Sequence, residues 1–523
     1  MEYKRTICEL LEYRAHSTPD WVFGIQEDWE ISCSTLHACV NRLANGLTDV
    51  GVTPGQRVAV MLGNHPDHIF TIFSLAELGA VWVPVNVNLR GPSLDFVFEK
   101  SAPSIVIVDA EFWDRLGPIL TNKNVETIIV RNARNVAGPS DRMRVLDFSA
   151  VTGREVSPPL ATPTLDEIRS ISFTSGTTGE PKGVLLTERM LMTFARGAAL
   201  ASEVNQGDVF LLWEPLYHNS GVQICILALM EQVKLAIVPK FSGSRFWDQI
   251  RKYRVTKMHY LGGIIDILLK YPTHPNDKDH SIRLAFGGGC SISGWRAFEN
   301  RFGVKIQEVY GLTEASGFST INKSGKIGSI GKPYPYFEVK IVDEEGNVLG
   351  ARQIGEIVIR EKESGLITQG YLENPEATAK ALRDGWLYTG DLGCYDEEGD
   401  FYYKGRKKES IRRRGENISA WEVERVLNSH PKVQESAVIG VDADVGEQEL
   451  KAFIKCAVGA ILEPLEIIKW CESLLPYYQV PRYVAFVGSF EKTPTERIRK
   501  ESLSKDTTDC WDLESSGYKI ERS

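Results

Sequence analysis

Paired cysteines, long apolar runs and basic clusters are all scarce in this sequence. No two of the nine cysteines have the C-x-x-C spacing, and their number is odd, which argues against a disulfide framework and against a zinc site. The longest apolar stretches, such as residues 224–230, are far too short to span a bilayer, and the first residues contain no apolar signal core. We therefore expect a soluble cytoplasmic protein with reduced thiols and no membrane span.

The charge balance excludes a general nucleic-acid surface. The formal net charge is -9, and the basic run at residues 412–414 is short. The sequence has no internal repeat and no low-complexity tract, while 43% of its 523 residues are hydrophobic and 25% are charged. This composition is ordinary for a globular protein, and the length suffices for about three or four folded units.

The first half of the chain contains a repeated helix–strand pattern. Residues 34–50 have apolar side chains at helical spacing, and residues 57–62 form an apolar run typical of a buried strand. The alternation recurs over 69–85, which predicts parallel α/β layers. From about residue 338 there follow short strands separated by turn residues, and after the polar run 404–414 a compact α+β pattern begins.

The sharpest local signal is the ten-residue segment TSGTTGEPKG at 174–183. Its small residues let backbone amides approach an anion closely, its four hydroxyls add hydrogen-bond donors, and Lys182 adds a mobile positive charge. The segment is not a Walker A loop, because G-x-x-x-x-G-K-[ST] does not occur. An ordinary Gly/Ser/Thr loop is the alternative interpretation, and we predict that the segment binds the phosphates of a nucleoside triphosphate.

This segment resembles the signature of the AMP-binding (adenylate-forming) superfamily, which includes acyl-CoA synthetases, luciferases and adenylation domains of peptide synthetases. Further motifs follow in the family's order over nearly the whole chain, and the nearest group is the crotonobetaine/carnitine–CoA ligases. The resemblance implies an α/β fold: a large N-terminal domain (1–405) of two α/β layers and a small β-barrel, a hinge (406–411), and a small mobile α+β C-terminal domain (412–523).

The resemblance also implies a nucleotide site assembled from several segments. Tyr310 would stack on adenine, Thr313 would bond the α-phosphate, and Glu314 would help to hold Mg²⁺. Asp391 would accept hydrogen bonds from the ribose hydroxyls, and Arg406 would bind the ribose or phosphate side. The full set of implied nucleotide-binding residues is Thr174, Ser175, Gly176, Thr177, Thr178, Gly179, Lys182, Gly288, Gly289, Cys290, Tyr310, Gly311, Thr313, Asp391 and Arg406.

The segment PLYH at 215–218 resembles the family's motif at the acyl pocket, where a histidine or an aromatic residue lies near the substrate carboxylate. A core histidine beside a loop is the alternative interpretation of His218. By the same resemblance the pocket takes a carboxylic acid or its acyl-adenylate. The residues that we expect to border it are Trp213, Tyr217, His218, Tyr260 and Gly262.

By resemblance, the family carries out two half-reactions at one site. A carboxylate attacks the α-phosphate of ATP and releases pyrophosphate, and the thiol of coenzyme A then displaces AMP. Lys408 stands at the position of the hinge residue about which the C-terminal domain moves between the two steps. The loop expected to bind coenzyme A contains Arg414, Gly415 and Glu416, where the family usually has two glycines before the glutamate.

A second departure concerns the adenylation step. The family usually has Gly-Lys near the C-terminus, whereas Glu496 and Arg497 stand at these positions here, with Lys500 as an uncertain substitute. Arginine keeps the charge but is planar and bulkier, and a displaced donor at a developing charge costs about 10²–10³ in rate. The predicted catalytic residues are Lys182, His218, Glu314, Lys408 and Arg497.

Three functions remain open on this basis. The first is a complete acid–CoA ligase that uses ATP, Mg²⁺ and coenzyme A, with Arg497 in place of the lysine. The second is an enzyme that only converts an acyl-adenylate, supplied by a separate adenylating enzyme, into a thioester. The third is a non-catalytic nucleotide-binding scaffold, against which the retained Lys182, Glu314 and Asp391 argue. Dimers are common in the family, so a homodimer is an open alternative to a monomer.

Overall fold

The structure is a computed structural model that describes residues 4–133, 142–153, 155–159, 161–174, 181–413, 416–442, 448–493 and 497–520. None of its helices combines the length and the apolar character that crossing a membrane requires, within the described parts of the chain. All nine cysteines are free thiols. The α-helices are α1 Ile7–Ser17, α2 Cys33–Asp49, α3 Pro66–Glu77, α4 Gly91–Ser101, α5 Trp113–Leu120, α6 Phe148–Val151, α7 Glu188–Ser202, α8 Asn219–Glu231, α9 Phe246–Tyr253, α10 Gly262–Lys270, α11 Ile292–Phe302, α12 Pro375–Ala381, α13 Ala420–Asn428 and α14 Pro464–Glu472.

Within the described residues, the strands form five sheets. They are β1 Val22–Gln26, β2 Trp29–Ser32, β3 Arg57–Met61, β4 Val81–Pro84, β5 Ile105–Asp109, β6 Thr127–Arg131, β7 Arg144–Asp147, β8 Ile168–Thr174, β9 Lys182–Thr187, β10 Val209–Leu212, β11 Lys234–Ile237, β12 Lys257–Leu261, β13 Leu284–Gly288, β14 Lys305–Leu312, β15 Gly317–Ile321, β16 Lys332–Pro333, β17 Phe337–Val342, β18 Gly355–Glu361, β19 Leu382–Arg383, β20 Trp386–Tyr395, β21 Phe401–Arg406, β22 Ser410–Arg413, β23 Glu416–Ser419, β24 Val433–Asp442, β25 Gln448–Cys456, β26 Tyr483–Phe486 and β27 Trp511–Asp512.

Two large sheets form the body of the N-terminal part. One has the strand order β7-β6-β5-β3-β4-β8-β9 and the other the order β16-β15-β14-β13-β12-β10-β11-β1-β2. Their inner strands pair in parallel, for example β3 with β5 and β12 with β13. Antiparallel strands stand at both edges of the second sheet and at the β9 edge of the first, whereas the β7 edge is parallel. These apolar parallel strands, connected through helices, are the pattern that the helix–strand alternation predicts.

The helices lie on both faces of each sheet because the strands are apolar on both sides. In β3, Val58 and Val60 belong to a central hydrophobic cluster shared with α2, α3, α7 and α8, whereas Ala59 and Met61 belong to a second cluster with α4 and α5. In β10, Phe210 lies in the central cluster, whereas Leu211 lies in a third cluster with α9, α10 and α11. Helices are therefore sandwiched between the two sheets and also cover their outer faces.

A five-stranded antiparallel sheet, built from β17 to β21, follows the two large sheets and stands where the sequence predicts a small β-barrel. The C-terminal part has its own hydrophobic cluster beneath α13, α14 and the sheet β24-β25-β26-β27. Arg413, from the short basic run, is buried there and donates to Tyr478 O at 2.9 Å and to Val480 O at 2.8 Å. The predicted fold class, a large α/β part with a smaller α+β part, is confirmed.

Candidate active site

The predicted site residues gather at the carboxyl ends of strands from both large sheets. Thr174 ends β8, Gly288 ends β13, and Thr313 directly follows β14. Lys182 begins β9 and stands directly opposite Thr174 in the antiparallel pair of β8 and β9. In α/β folds, ligands bind in the crevice outside the carboxyl ends of parallel strands, so this edge has the general location of a binding site.

Asp391 is the centre of a buried polar cluster between the large sheets and the five-stranded sheet. Tyr310 donates from its hydroxyl to Asp391 Oδ2 at 2.7 Å, and Arg406 Nε lies 2.7 Å from Asp391 Oδ1. Only 2% of Asp391 is exposed, and burial raises the pKa of its carboxyl against the opposing charge of Arg406. Oδ1 makes no aligned hydrogen bond to any described residue, so it retains the capacity to accept one from a ligand hydroxyl.

Lys182 and Glu314 are connected through Tyr371. The Tyr371 hydroxyl donates to Glu314 Oε1 at 2.9 Å, and Lys182 Nζ lies 4.6 Å from the centre of the Tyr371 ring. Burial lowers the pKa of Lys182, the nearby ammonium of Lys408 lowers it further, and the Glu314 carboxylate opposes both effects. The predicted hinge residue therefore lies close to the predicted phosphate-binding lysine.

The glycine-rich turn after β13 is held from behind by Glu308. The Glu308 carboxylate accepts hydrogen bonds from the backbone N–H groups of Gly289 and Cys290 and from the Tyr260 hydroxyl. Gly289 has a φ of 88°, in the left-handed region that favours glycine. Burial raises the pKa of Glu308 to about 8. Tyr260 is fully buried, so its side chain supports this turn and does not face an open pocket.

His218 lies at the start of α8 as the capping residue. Its Nδ1 accepts a hydrogen bond from the Ser220 N–H at 3.1 Å, which leaves Nε2 to carry the ring proton in the neutral form. Burial lowers the pKa of His218 to about 4, with further lowering by the charges of His259 and Arg497. A neutral imidazole with a protonated Nε2 can donate a hydrogen bond to a carboxylate.

Trp213 and Tyr217 lie in the same loop between β10 and α8. Trp213 is 5% exposed, and its Nε1 donates to His259 O at 3.0 Å while its ring stacks on the His259 ring. Behind them, His259 Nδ1 lies 3.0 Å from Glu214 Oε1, and both side chains are buried. Tyr217 is partly exposed, and its hydroxyl accepts a hydrogen bond from Asn88 Nδ2 at 3.3 Å.

Arg497 reaches the site from the C-terminal part of the chain. The Thr493 N–H donates to Arg497 O at 2.7 Å, and the Arg497 N–H donates back to Thr493 Oγ1 at 3.1 Å, which closes a turn. The positive charge of Arg497 contributes to the low pKa of His218 and opposes the burial-driven rise in the pKa of Asp391. Arg497 is therefore within electrostatic reach of both the predicted acyl side and the predicted nucleotide side.

Lys500 has a different environment from Arg497. Its Nζ lies 2.6 Å from Glu409 Oε2 and 2.8 Å from Glu424 Oε1. These two ion pairs hold Lys500 against Glu424 of α13 and against Glu409, which directly follows Lys408. Lys500 thus links the turn that carries Arg497 to the segment around Lys408.

Three more predicted residues are located by the secondary-structure elements that contain them. Gly262 begins α10, Glu416 begins β23, and Gly311 lies in β14, where an added Cβ would stand 1.7 Å from Gly317 O. The predicted residues that lie outside the described part of the chain are Ser175, Gly176, Thr177, Thr178, Gly179, Arg414, Gly415 and Glu496.

The sequence analysis does not identify two residues of the site, Glu308 and Tyr371. Glu308 precedes Tyr310 by two residues in a strand, so the two side chains point to the same face, and that periodicity is a usable signal. Tyr371 lies between β18 and α12, where no periodic pattern distinguishes it.

Comparison with known proteins agrees with this geometry. The family model described as "AMP-binding enzyme" matches residues 11–372, and the model described as "AMP-binding enzyme C-terminal domain" matches residues 422–497. The chain therefore belongs to the AMP-binding enzyme family, and the predicted family is confirmed.

Within that family the chain is similar to CoA ligases. It is 32% identical over 484 residues to the crotonobetaine/carnitine–CoA ligase of Citrobacter koseri, with 91% of this chain and 93% of that protein covered. The corresponding ligase of Salmonella typhi is 32% identical over 485 residues, with the same coverage.

Solved structures of CoA ligases have the same fold. An anthranilate–CoA ligase in complex with anthranoyl-AMP superposes with a TM-score of 0.85 at 25% identity, covering 95% of this chain and 96% of that one. An o-succinylbenzoate–CoA synthetase of Bacillus subtilis in complex with ATP and magnesium superposes with a TM-score of 0.82 at 25% identity, covering 94% of this chain and 98% of that one.

Proposed function

We propose that this chain is an acid–CoA ligase, an acyl-CoA synthetase that converts a carboxylic acid, ATP and coenzyme A into acyl-CoA, AMP and pyrophosphate. The observation that carries the proposal is the buried Asp391, which is flanked by Tyr310 and Arg406 and has an oxygen available to a ligand hydroxyl. Membership of the AMP-binding family and the similarity to named CoA ligases support the same function.

The nucleotide takes its position from three groups of residues. Asp391 accepts hydrogen bonds from the ribose hydroxyls, and its ion pair with Arg406 opposes the rise in pKa that burial causes. The Tyr310 ring borders the adenine, beside the turn that contains Gly289. Lys182 binds the phosphates, because a partly buried ammonium interacts strongly with polyphosphate oxygens.

Glu314 suits a Mg²⁺ ion. Its Oε1 accepts the hydrogen bond from Tyr371, and Oε2 has no hydrogen bond to any described residue. A carboxylate oxygen together with phosphate oxygens is the ligand set that Mg²⁺ prefers, so Glu314 and the nucleotide phosphates would hold the ion. When bound, the ion neutralises the charge that develops on the departing pyrophosphate.

Adenylation needs donors near the substrate carboxylate and the α-phosphate. His218 offers its Nε2–H to one carboxylate oxygen, and the other oxygen attacks the α-phosphorus while the bond to pyrophosphate breaks. Arg497, within electrostatic reach of His218 and Asp391, stabilises the negative charge on the α-phosphate at this step. Its guanidinium takes the place that a lysine has in the family.

Thioester formation completes the reaction. The thiol of coenzyme A loses its proton and attacks the carbonyl carbon of the acyl-adenylate, and the bond to the AMP phosphate breaks. We propose that the C-terminal part rotates at Lys408 between the two steps, which withdraws Arg497 and brings the loop 414–416 to the acyl-adenylate. The five-stranded sheet ends with β21, and the residues of the separate C-terminal hydrophobic core follow soon after Lys408, which supports a hinge at this position.

The two alternative functions have no support. A thioester-only enzyme would have no use for a positive charge within electrostatic reach of His218, and a scaffold would have no use for Glu314 connected to Lys182 through Tyr371. The similar proteins are named as ligases and the solved structures contain acyl-adenylates or ATP.

The test is a panel of carboxylic acids, including carnitine, crotonobetaine, anthranilate and o-succinylbenzoate. Pyrophosphate release is measured with each free acid, and CoA thioester formation is measured with the matching synthetic acyl-adenylate. A complete ligase gives both products with at least one acid. Thioester from the adenylate without pyrophosphate from the free acid would contradict the proposal.

A further inference from the structure

We infer that Tyr371 is a positioning residue, which orients the Glu314 carboxylate for the metal–nucleotide complex and supports Lys182 at the same time. This inference rests on the proposed function and adds a residue to it. Its basis is the single contact chain from Lys182 Nζ over the Tyr371 ring to the Tyr371 hydroxyl and on to Glu314 Oε1.

The backbone around Tyr371 is tied to both of the residues that it connects. The Leu372 N–H donates to Gly183 O at 2.7 Å, so the segment runs alongside β9 directly after Lys182. Three residues before Tyr371, the Thr368 N–H donates to Glu314 O at 2.8 Å. The segment 368–372 is thus fixed to the strand of Lys182 and to the turn of Glu314, and the side chain of Tyr371 lies between them.

The hydroxyl and the ring of Tyr371 have separable effects. The hydroxyl holds one oxygen of Glu314, which reduces the rotational freedom of the carboxylate and directs Oε2 away from Tyr371. The ring face offers Lys182 a weak cation–π partner that polyphosphate oxygens can displace.

The Tyr371→Phe variant isolates the hydroxyl, because it keeps the ring beneath Lys182. Mn²⁺ binding is titrated by electron paramagnetic resonance in the presence of saturating α,β-methylene-ATP, and AMP binding without metal is measured by calorimetry. We expect the Mn²⁺ dissociation constant to rise about tenfold, since a hydrogen bond to a charged group is lost, while the AMP dissociation constant stays unchanged.

The chain offers a matched control in Tyr518→Phe. The Tyr518 hydroxyl donates to Glu472 Oε2 at 2.6 Å, a tyrosine–carboxylate bond of the same type at the C-terminal end of α14. This variant should leave both constants unchanged. Tyr371→Leu, which also removes the ring, should weaken α,β-methylene-ATP binding in addition, because Lys182 loses its support.

Two results would overturn the role of Tyr371 and leave the proposed function intact. One is an unchanged Mn²⁺ constant in Tyr371→Phe, and the other is an equal rise in the AMP constant, which would indicate a general structural effect. A wild-type protein that binds neither AMP nor the Mn²⁺–nucleotide complex would overturn the proposed function itself, together with the inference.

Discussion

Asp391 and Arg406 stand directly opposite each other on β20 and β21, and their side chains form an ion pair with 2.7 Å between Oδ1 and Nε. Arg406 is the last residue of β21, and the segment from Lys407 onward leads to the C-terminal part. The pair therefore stands at the boundary between the five-stranded sheet and the predicted hinge, of which Arg406 is the first residue.

Replacing Asp391 by alanine should weaken AMP and ATP binding sharply. The change removes the acceptor proposed for the ribose and leaves the Tyr310 hydroxyl and the Arg406 guanidinium without their shared partner. Charged hydrogen bonds contribute roughly 1.5–3 kcal/mol each, so we expect a loss of at least about tenfold in affinity by calorimetry. Nucleotide affinity equal to that of the wild type would remove Asp391 from the ribose site.

Arg497→Ala should impair adenylation selectively. Pyrophosphate release should fall about 10²–10³-fold, the effect of losing one donor at a developing charge, while thioester formation from supplied acyl-adenylate continues. Arg499→Ala is the matched control, because Arg499 is near in sequence and pairs with Glu501 at 3.2 Å. Equal losses in both half-reactions of Arg497→Ala would contradict the role.

The Arg497→Lys variant tests whether the site is adapted to arginine. If it is, the rate of pyrophosphate release should fall in the variant. If arginine slows adenylation, the rate of pyrophosphate release should rise.

The parts of the fold that the sequence predicts are those with local periodicity. The helical pattern over 34–50 corresponds to α2, Cys33–Asp49, and the apolar run 57–62 corresponds to β3, Arg57–Met61. In contrast, β27, Trp511–Asp512, is two residues long and falls in a polar stretch without a predicted element. Its pairing with β26 is a contact between distant segments, which composition and spacing do not encode.

The same distinction holds for the site. Asp391 and Glu314 are recognisable from the sequence because the residues next to them in the chain complete short motifs. Tyr371 and Glu308 act through contacts with residues far away in sequence, so only the folded chain brings their partners together. Tyr260 is an example of the opposite case. Its proximity to a motif predicts a residue at the acyl pocket, but in the structure its hydroxyl is buried and donates to Glu308.

Lys408→Pro should impair thioester formation more than adenylation. Proline fixes the backbone φ angle and removes a donor, which restricts rotation at a hinge position. The charge of Arg497 is within electrostatic reach of His218 and Asp391 in this arrangement, so we expect adenylation to need less rotation than thioester formation. The two half-reactions are compared in single-turnover experiments, with Lys408→Ala as the control, because it removes the same side chain and keeps a rotatable backbone. Equal effects of Lys408→Pro on both steps would argue against a hinge.

Lys500→Met should destabilise the C-terminal part and lower the adenylation rate. The variant leaves Glu424, which is mostly buried, without its ion pair at 2.8 Å, at a cost of about 2–3 kcal/mol. Lys432→Met serves as the control, because its ion pair with Glu466 at 3.0 Å is more exposed and should contribute below about 1 kcal/mol. Denaturant unfolding compares the two, and similar effects would mean that Lys500 has no special structural role.

Glu308→Gln should flatten the pH dependence of stability. Burial raises the pKa of Glu308 to about 8, above its ordinary value of 4.5, so between these values the folded protein holds a proton that the unfolded chain releases. Stability of the wild type therefore falls as the pH rises from about 5 to about 8, and glutamine removes this titration. The free energy of unfolding is measured across that range for both proteins. Parallel curves would show that Glu308 is ionised in the folded state.

The nearness of Lys182 and Lys408 has a consequence for the order of events. The two like charges repel each other in the present arrangement, and this repulsion is one cause of the lowered pKa of Lys182. If Lys182 binds the phosphates as proposed, a bound triphosphate would offset this repulsion, and the departing pyrophosphate would remove that negative charge. The loss of the first product would then favour separation of the two lysines before the thiol enters.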